Sequence, residues 1–389
     1  MERKNSVGQW IFRLLSYILV AAIASGATLF FLVPRESGKL GQLRYLLKDQ
    51  FVNDVTDEQL DDGAAEGMIQ ALGDRWSYYI PASQYDAHME QANNAYVGIG
   101  VTISSQPGEL GYEIISVEPG GGAEEAGIQA GDIITEVAGQ SMVDMGIDQT
   151  RTLIRGEEST SVEIKILRKE EVFTFQVERR TIQTVVVTSQ MLPDNMGLIT
   201  IKNFDERCAD ETIAAVDALV EQGAKALIFD VRFNPGGYKK ELVRVLDHLL
   251  PEGPIFRSVS NTGEESVVES DEACVELPVA VLINDSSYSA AELFAAALSE
   301  YEWAVVVGEA TSGKSHYQNT FRLSDGSAVN ISVGKYTTPK KNISLADVGG
   351  LKPDVEIPLE LEVKSQIYAG KVPPEEDVQI QAAVNELKK

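Results

Sequence analysis

The chain has 389 residues, enough for two or three domains with separate cores. Its formal net charge of −26 argues against nucleic acid or an anionic membrane surface as a partner. The acidic residues run throughout the chain instead of gathering in a tail, a distribution that serves solubility.

The N-terminus breaks this pattern. Leu14 to Val33 is a run of twenty residues without a charge, the length of a membrane-spanning helix. Arg3, Lys4 and Arg13 precede it, which places the N-terminus in the cytoplasm and the remaining chain outside. Small residues at 24–27 would suit a signal-peptide cut, but the apolar run continues through Thr28 to Val33. The expectation is an uncleaved, single-pass anchor in the cell membrane. Cys208 and Cys274 are the two cysteines; one pair is no disulfide framework, and spacing leaves open whether they pair. The three histidines, at 88, 248 and 316, stand singly, so no metal site is read from the sequence.

Residues 38–93 read as helical and acidic, with Leu43, Leu46, Leu47, Phe51 and Val52 near helical spacing. A second helical stretch over Gly63–Leu72 ends at Gly73-Asp-Arg-Trp-Ser-Tyr-Tyr79, whose aromatics read as packing residues. From Tyr96 the chain turns to short strands separated by glycines: Tyr96–Val101, Tyr112–Val117, a turn at Pro119–Gly122, a short helix to Gly127, and strands from Gly131 and over Val162–Leu167. Beyond residue 180 strands and helices alternate: strand 226–230, helix 238–250, strand 279–283, helix 289–300 and strand 304–307. That order implies right-handed crossovers in a mixed or parallel sheet covered by helices.

Two motifs in this last region carry chemistry. Gly308-Glu-Ala-Thr-Ser-Gly-Lys314-Ser315 fits the phosphate-loop pattern, but a phosphate loop must open a helix. Here Thr320–Leu323 and Ala328–Val333 flank Ser324-Asp-Gly326, a hairpin signature, which argues against a nucleotide-binding loop. Ser289 falls at the turn between the 279–283 strand and the 289–300 helix, where free N–H groups and the helix dipole favour developing negative charge. A serine attacking a carbonyl needs that environment and a base. Ser289-x-x-Glu292 is also a capping box, a general helix-start signal.

The stretch over 95–180 resembles a PDZ domain, on Tyr96-Val-Gly-Ile-Gly100 in the place of the carboxylate-binding loop and on Ala126-Gly-Ile-Gln-Ala-Gly-Asp-Ile-Ile134. The resemblance implies that Val97, Gly98, Ile99 and Gly100 bind a peptide tail added as a strand. The chain from about residue 40 onward is similar to the carboxyl-terminal processing proteases, tail-specific serine peptidases with a Ser-Lys dyad. The motifs are Asp230-Val-Arg-Phe-Asn-Pro-Gly-Gly237, Ser287-Tyr-Ser-Ala-Ala-Glu292, Thr311-Ser-Gly-Lys-Ser-His-Tyr-Gln318 and Gly350-Leu-Lys-Pro-Asp354.

That resemblance implies a multidomain α/β protein. With the cytoplasmic tip and transmembrane helix already read from the apolar run (1–37), its parts are a helical region packing on the core (38–94), a β-rich PDZ domain with two helices (95–180), and an α/β protease core of the ClpP/crotonase-like type (181–389). It implies Ser289 as nucleophile, Lys314 as base twenty-five residues later, and Gln318 orienting the amine. It places the oxyanion hole at Ala290 with Gly236 or Gly237, and connects Arg155 with coupling of the PDZ domain to the core. No metal or organic cofactor is implied. Partners are protein or peptide substrates with accessible C-terminal tails and the membrane; a helix over Asp377–Leu387 would pack on the core or on a second copy in a homodimer. Departures from the family pattern are Tyr288 for alanine, Ala291 for serine, Ser315 for glycine and Glu300 for aspartate. The rival reading is a PDZ scaffold with an inactive or conditionally active core; the intact Ser289, Lys314 and Gln318 set speaks for the enzyme.

Overall fold

The computed structural model describes residues 10, 12, 14–17 and 38–389. Residues 18–33 of the expected membrane helix lie outside these, and among the described residues no helix is long and apolar enough to cross a membrane. The chain divides into two compact units, Met1–Gly73 and Asp74–Lys389.

In the first unit, helix α1 (Lys39–Gln50) is followed by α2 (Asp57–Gln70). Thr56 starts α2 with a capping box: its hydroxyl accepts the Gln59 N–H at 3.1 Å, and the Gln59 side chain accepts the Thr56 N–H at 3.0 Å. Ion pairs Lys48–Asp57 (2.7 Å) and Arg44–Asp61 tie the two helices at their exposed faces.

The second unit opens with β1 (Tyr78–Ile80), α3 (Ala82–Ala92) and β2 (Ala95–Gly98). A six-stranded antiparallel body follows, formed by β3 (Val101–Ile103), β4 (Tyr112–Val117), β5 (Ile133–Val137), β6 (Gln140–Ser141), β7 (Ser161–Arg168) and β8 (Glu171–Glu178). Two helices, α4 (Gly122–Ala126) and α5 (Ile147–Ile154), cover it. Alternate residues of its strands, such as Tyr112 and Ile114 or Ile164 and Ile166, enter one core, as the period-two pattern requires. Strand β9 (Arg180–Gln183) pairs with β2 and closes the neck where the chain enters and leaves this body.

The remainder holds β10 (Val187–Leu192), β11 (Met196–Ile201), α6 (Cys208–Glu221), β12 (Ala226–Asp230), α7 (Lys239–Leu249), β13 (Gly253–Ser260), β14 (Glu265–Ser270), β15 (Val279–Ile283), α8 (Ala290–Glu300), β16 (Ala304–Gly308), β17 (His316–Arg322), β18 (Ala328–Thr337), β19 (Val355–Glu356), α9 (Leu361–Tyr368) and α10 (Val378–Glu386). The central sheet runs β10-β11-β12-β15-β16-β19 and is parallel from β11 onward. Strands β12 and β15 are buried along their whole length, as continuous apolar runs in covered parallel sheets are. Helix α8 is buried from Ala290 through Leu298, because it packs on β15 and β16 of this sheet and on β13 of a second one. The second sheet is β1-β18-β13-β14, with β17 also on β18. Helix α10 buries Ile380, Ala383 and Val384 against Leu198, Ile228 and Leu282 on the opposite face of the central sheet. Cys208 and Cys274 are both free thiols.

Candidate active site

Ser289 stands at the N-cap of α8 with φ +62° and ψ −120°, a conformation L side chains rarely adopt. It is over-determined by its surroundings. Asn284, almost fully buried, accepts the Phe233 N–H at 2.9 Å and the Ser286 N–H at 3.1 Å. Ser287 donates its hydroxyl to the Val231 carbonyl at 2.7 Å, and Tyr288 N–H reaches the Asn234 carbonyl at 3.1 Å. The Ser289 turn is thereby stapled to the 230–237 loop over the C-terminal edge of the sheet.

That loop is itself pinned. Arg232 is buried between Asp230 (2.6 Å) and Asp377 (2.8 Å), and its guanidinium also donates to Gln379 Oε1 at 2.8 Å. Phe204 N–H reaches the Gly236 carbonyl at 2.9 Å, and the Phe204 carbonyl accepts the Tyr238 N–H at 2.7 Å. Gly236 has φ +92°, and a Cβ there would lie 2.7 Å from the Ser289 Cβ and 3.0 Å from the Ala290 nitrogen. Its own N–H is donated to Asn234 Oδ1 at 2.8 Å. The N–H groups of Gly237 and Ala290 have no acceptor among the described residues, so these two, beside Ser289, are the free donors.

Glu292 joins Ser289 and Lys314. Fully buried one turn into α8, its Oε2 accepts the N–H of Ser289 (2.9 Å) and of Lys314 (2.8 Å); its Oε1 accepts the Gly313 N–H (2.7 Å) and the Thr311 hydroxyl (2.5 Å). Burial pushes its carboxyl above the ordinary range while these four bonds pull back. The Gly308–Ser315 stretch that mimics a phosphate loop thus wraps a carboxylate and runs into strand β17.

Lys314 is partly buried, and burial lowers its pKa from 10.5 to about 8, against the pull of Asp74 and Glu292 and with the help of Arg75. Its carbonyl accepts the hydroxyl of buried Tyr336. The amine makes no hydrogen bond to Ser289 Oγ; it lies 4.7 Å from the centroid of the Trp76 ring. Gln318 does not orient the amine here. A bulge between Tyr317 and Gln318 in the β17–β18 ladder turns its amide to the His316 carbonyl and to Ser332 Oγ, both at 3.0 Å. Of the departures from the family pattern, Ser315 accepts the Ala346 N–H at 2.9 Å, and Glu300 accepts the N–H groups of Lys340 and Lys341. Both therefore support the fold. Tyr288 faces Trp76 beside the amine. A cavity of about 270 Å³ opens at Ser289 and Ala290, lined by Leu242, Phe256, Leu293, Tyr317 and Tyr336 among others.

In the β3–β8 body, Ile99 and Gly100 keep N–H groups with no acceptor among the described residues. The Val97 N–H is donated to Glu90 Oε1 at 3.2 Å, and Arg155 donates to Glu90 Oε2 at 2.9 Å while lying 5.0 Å over the Tyr96 ring. Four residues escaped sequence reasoning. Glu292 showed only its capping box, Trp76 only its aromatic neighbourhood, and Tyr336 and Glu90 no signal at all.

Comparison with known proteins gives these parts their class. Residues 195–357 match peptidase family S41, residues 113–168 a PDZ domain, and residues 25–83 the N-terminal domain of the activating protease CtpB. Protease core and PDZ domain together make this a serine-type peptidase. The carboxy-terminal processing protease CtpA of Bacillus subtilis (strain 168) is 33% identical over 82% of this chain and 72% of its own length. The carboxyl-terminal-processing protease of Synechocystis is 31% identical over 88% of this chain and 81% of its own. A crystal structure from Bacteroides fragilis NCTC 9343, a candidate S41 protease, has the same fold at TM-score 0.51, covering 83% of this chain and 90% of that one at 18% identity. The chain belongs to peptidase family S41, the carboxyl-terminal processing proteases.

Proposed function

We propose that this protein is a membrane-anchored serine endopeptidase acting outside the cytoplasm, which selects proteins by their C-terminal tails and cleaves them with a Ser289–Lys314 dyad. The observation that carries the dyad is the shared Glu292 oxygen, which ties the Ser289 turn to Lys314, an amine whose pKa is lowered to about 8. Ser289 Oγ attacks the scissile carbonyl; an O–C bond forms as Lys314 Nζ takes the hydroxyl proton. The N–H groups of Ala290 and Gly237 receive the developing oxyanion, Gly236 being engaged by Asn234. The C–N bond then breaks as the leaving amine takes the proton from Lys314; water, deprotonated by the now neutral Lys314 amine, attacks the acyl ester, and the Lys314 proton returns to Ser289 Oγ as the acyl group is released. In this reading Gln318 acts on Lys314 only after its amide turns from Ser332.

The tail carboxylate docks on the free N–H groups of Ile99 and Gly100, with Arg155 as its cationic partner once Glu90 releases it. The anchor rests on the uncharged run Leu14–Val33 behind Arg3, Lys4 and Arg13. A conditionally active core is favoured over a permanently inactive one, because the amine is present and partly buried but makes no hydrogen bond to the hydroxyl. Cleavage of an unfolded protein by the full chain, compared with Ser289→Ala and Lys314→Ala, tests the reading. Loss in both with folding intact supports the dyad, and cleavage surviving either change removes it.

A further inference from the structure

Lys314 Nζ lies 4.7 Å from the Trp76 ring centroid and 5.8 Å from that of Tyr288. The two rings are 5.7 Å apart and inclined by 32°, so the amine sits at an aromatic corner. It has neither hydrogen bond nor ion pair among the described residues. Trp76 is held in place by backbone: the Asp74 carboxylate accepts its N–H at 3.1 Å, and Asn330 Nδ2 donates to its carbonyl at 3.5 Å. The groups bearing on the amine are Asp74 and Glu292, which favour its charged form, and Arg75, which opposes it and itself lies 4.1 Å over the Trp76 ring. His316 acts in turn on Asp74.

We propose that Trp76, with Tyr288, is a positioning residue for acylation: the two rings hold the Lys314 amine off Ser289 in the resting enzyme, and the amine reaches the hydroxyl by leaving them when a substrate peptide enters. This rests on Lys314 being the base. An aromatic face attracts an ammonium but not a neutral amine, so the rings retain the charged form. Deprotonation weakens the hold and creates the base in one event.

The test uses the full chain and three readouts. The acid limb of kcat/KM between pH 6 and 10 is compared for wild type, Trp76→Leu and Trp76→Phe. Leucine keeps the apolar cover and removes the π face, so the limb moves down by about 0.5–1 pH unit, with roughly a three- to fivefold gain at pH 7; phenylalanine restores the wild-type limb. A limb that stays put in Trp76→Leu, or moves equally in both variants, overturns the proposal. Should Trp76→Leu fail to fold, Tyr288→Leu replaces it, with a smaller downward shift expected and no shift overturning. Indole fluorescence, quenched by a nearby ammonium, should step with a midpoint near 8 in wild type and lose that step in Lys314→Met. A step that survives Lys314→Met also overturns the hold. Cleavage that survives Lys314→Met overturns instead the assignment of the base, which separates the two failures.

Discussion

The backbone N–H groups of Ser289 and Lys314 end on one atom, Oε2 of Glu292, at 2.9 and 2.8 Å. The spacing of the Ser289 and Lys314 backbones is therefore governed by a side chain that touches neither the Ser289 hydroxyl nor the Lys314 amine. Glu292→Gln keeps the volume but turns one acceptor into a donor facing groups that also donate. The expected result is a fall in kcat/KM of at least about 100-fold and a loss of stability of about 3 kcal/mol, because buried donors lose a charged acceptor. Chemical denaturation and steady-state kinetics check this; a variant with wild-type melting and activity would falsify the coupling.

Lys314 also links stability to pH. Its pKa is about 8 in the folded protein against 10.5 for a free lysine. Between those values the unfolded chain binds more protons, so stability rises with pH through this window; below 8 the burial penalty is fully present. Lys314→Met is expected to raise stability at pH 7 by on the order of 2 kcal/mol and to leave it unchanged above pH 10.5. Urea unfolding at both pH values decides the matter, and equal effects at the two would contradict it.

Gly236 leaves no space for a side chain, since a Cβ would come within 2.7 Å of the Ser289 Cβ and 2.9 Å of the Tyr288 carbonyl. Gly236→Ala should displace the serine from its free N–H donors and lower kcat by about 10²–10³, with KM changed less than threefold. A parallel loss in KM would point to substrate binding instead.

Much of this was legible in the chain itself. The strands at Tyr112–Val117, Ala226–Asp230 and Val279–Ile283 have their expected bounds, because apolar runs flanked by turn residues are local signals. The Ser289 and Lys314 motifs, each short and beside a strand, were visible for the same reason, and the structure ties their backbones together through Glu292. What stayed hidden depends on side chains meeting from distant segments. Trp76 reaches Lys314 only because β1 adds to β18 in the second sheet, a pairing no local pattern announces. The choice between Gly236 and Gly237 turns on the Asn234 amide, and the direction of Gln318 on a single bulge in β17.

Glu90 offers its carboxylate to the Val97 N–H and to Arg155, the groups a tail carboxylate would meet. Glu90→Gln should tighten activation by a tail peptide about two- to fivefold, the range of a partly exposed ion pair. Arg155→Ala should weaken activation while leaving basal labelling of Ser289 by a fluorophosphonate intact. Titration with a peptide and its C-terminal amide reads both; equal loss of activation and labelling in Arg155→Ala would remove the regulatory role.

Phe204 grips the chain on both sides of Gly237, through the Gly236 carbonyl and the Tyr238 N–H. The anion receptor is thus finished before any proton acceptor reaches the serine. A ligand that arrives already bearing a carboxylate, such as the shortened chain end left by a previous cut, finds a complete binding site. An intact peptide bond finds half of one. Product inhibition is the outcome expected of the proposed dyad and oxyanion hole, and turnover in a closed vessel should slow well before substrate is spent unless fresh tails keep competing for the cleft.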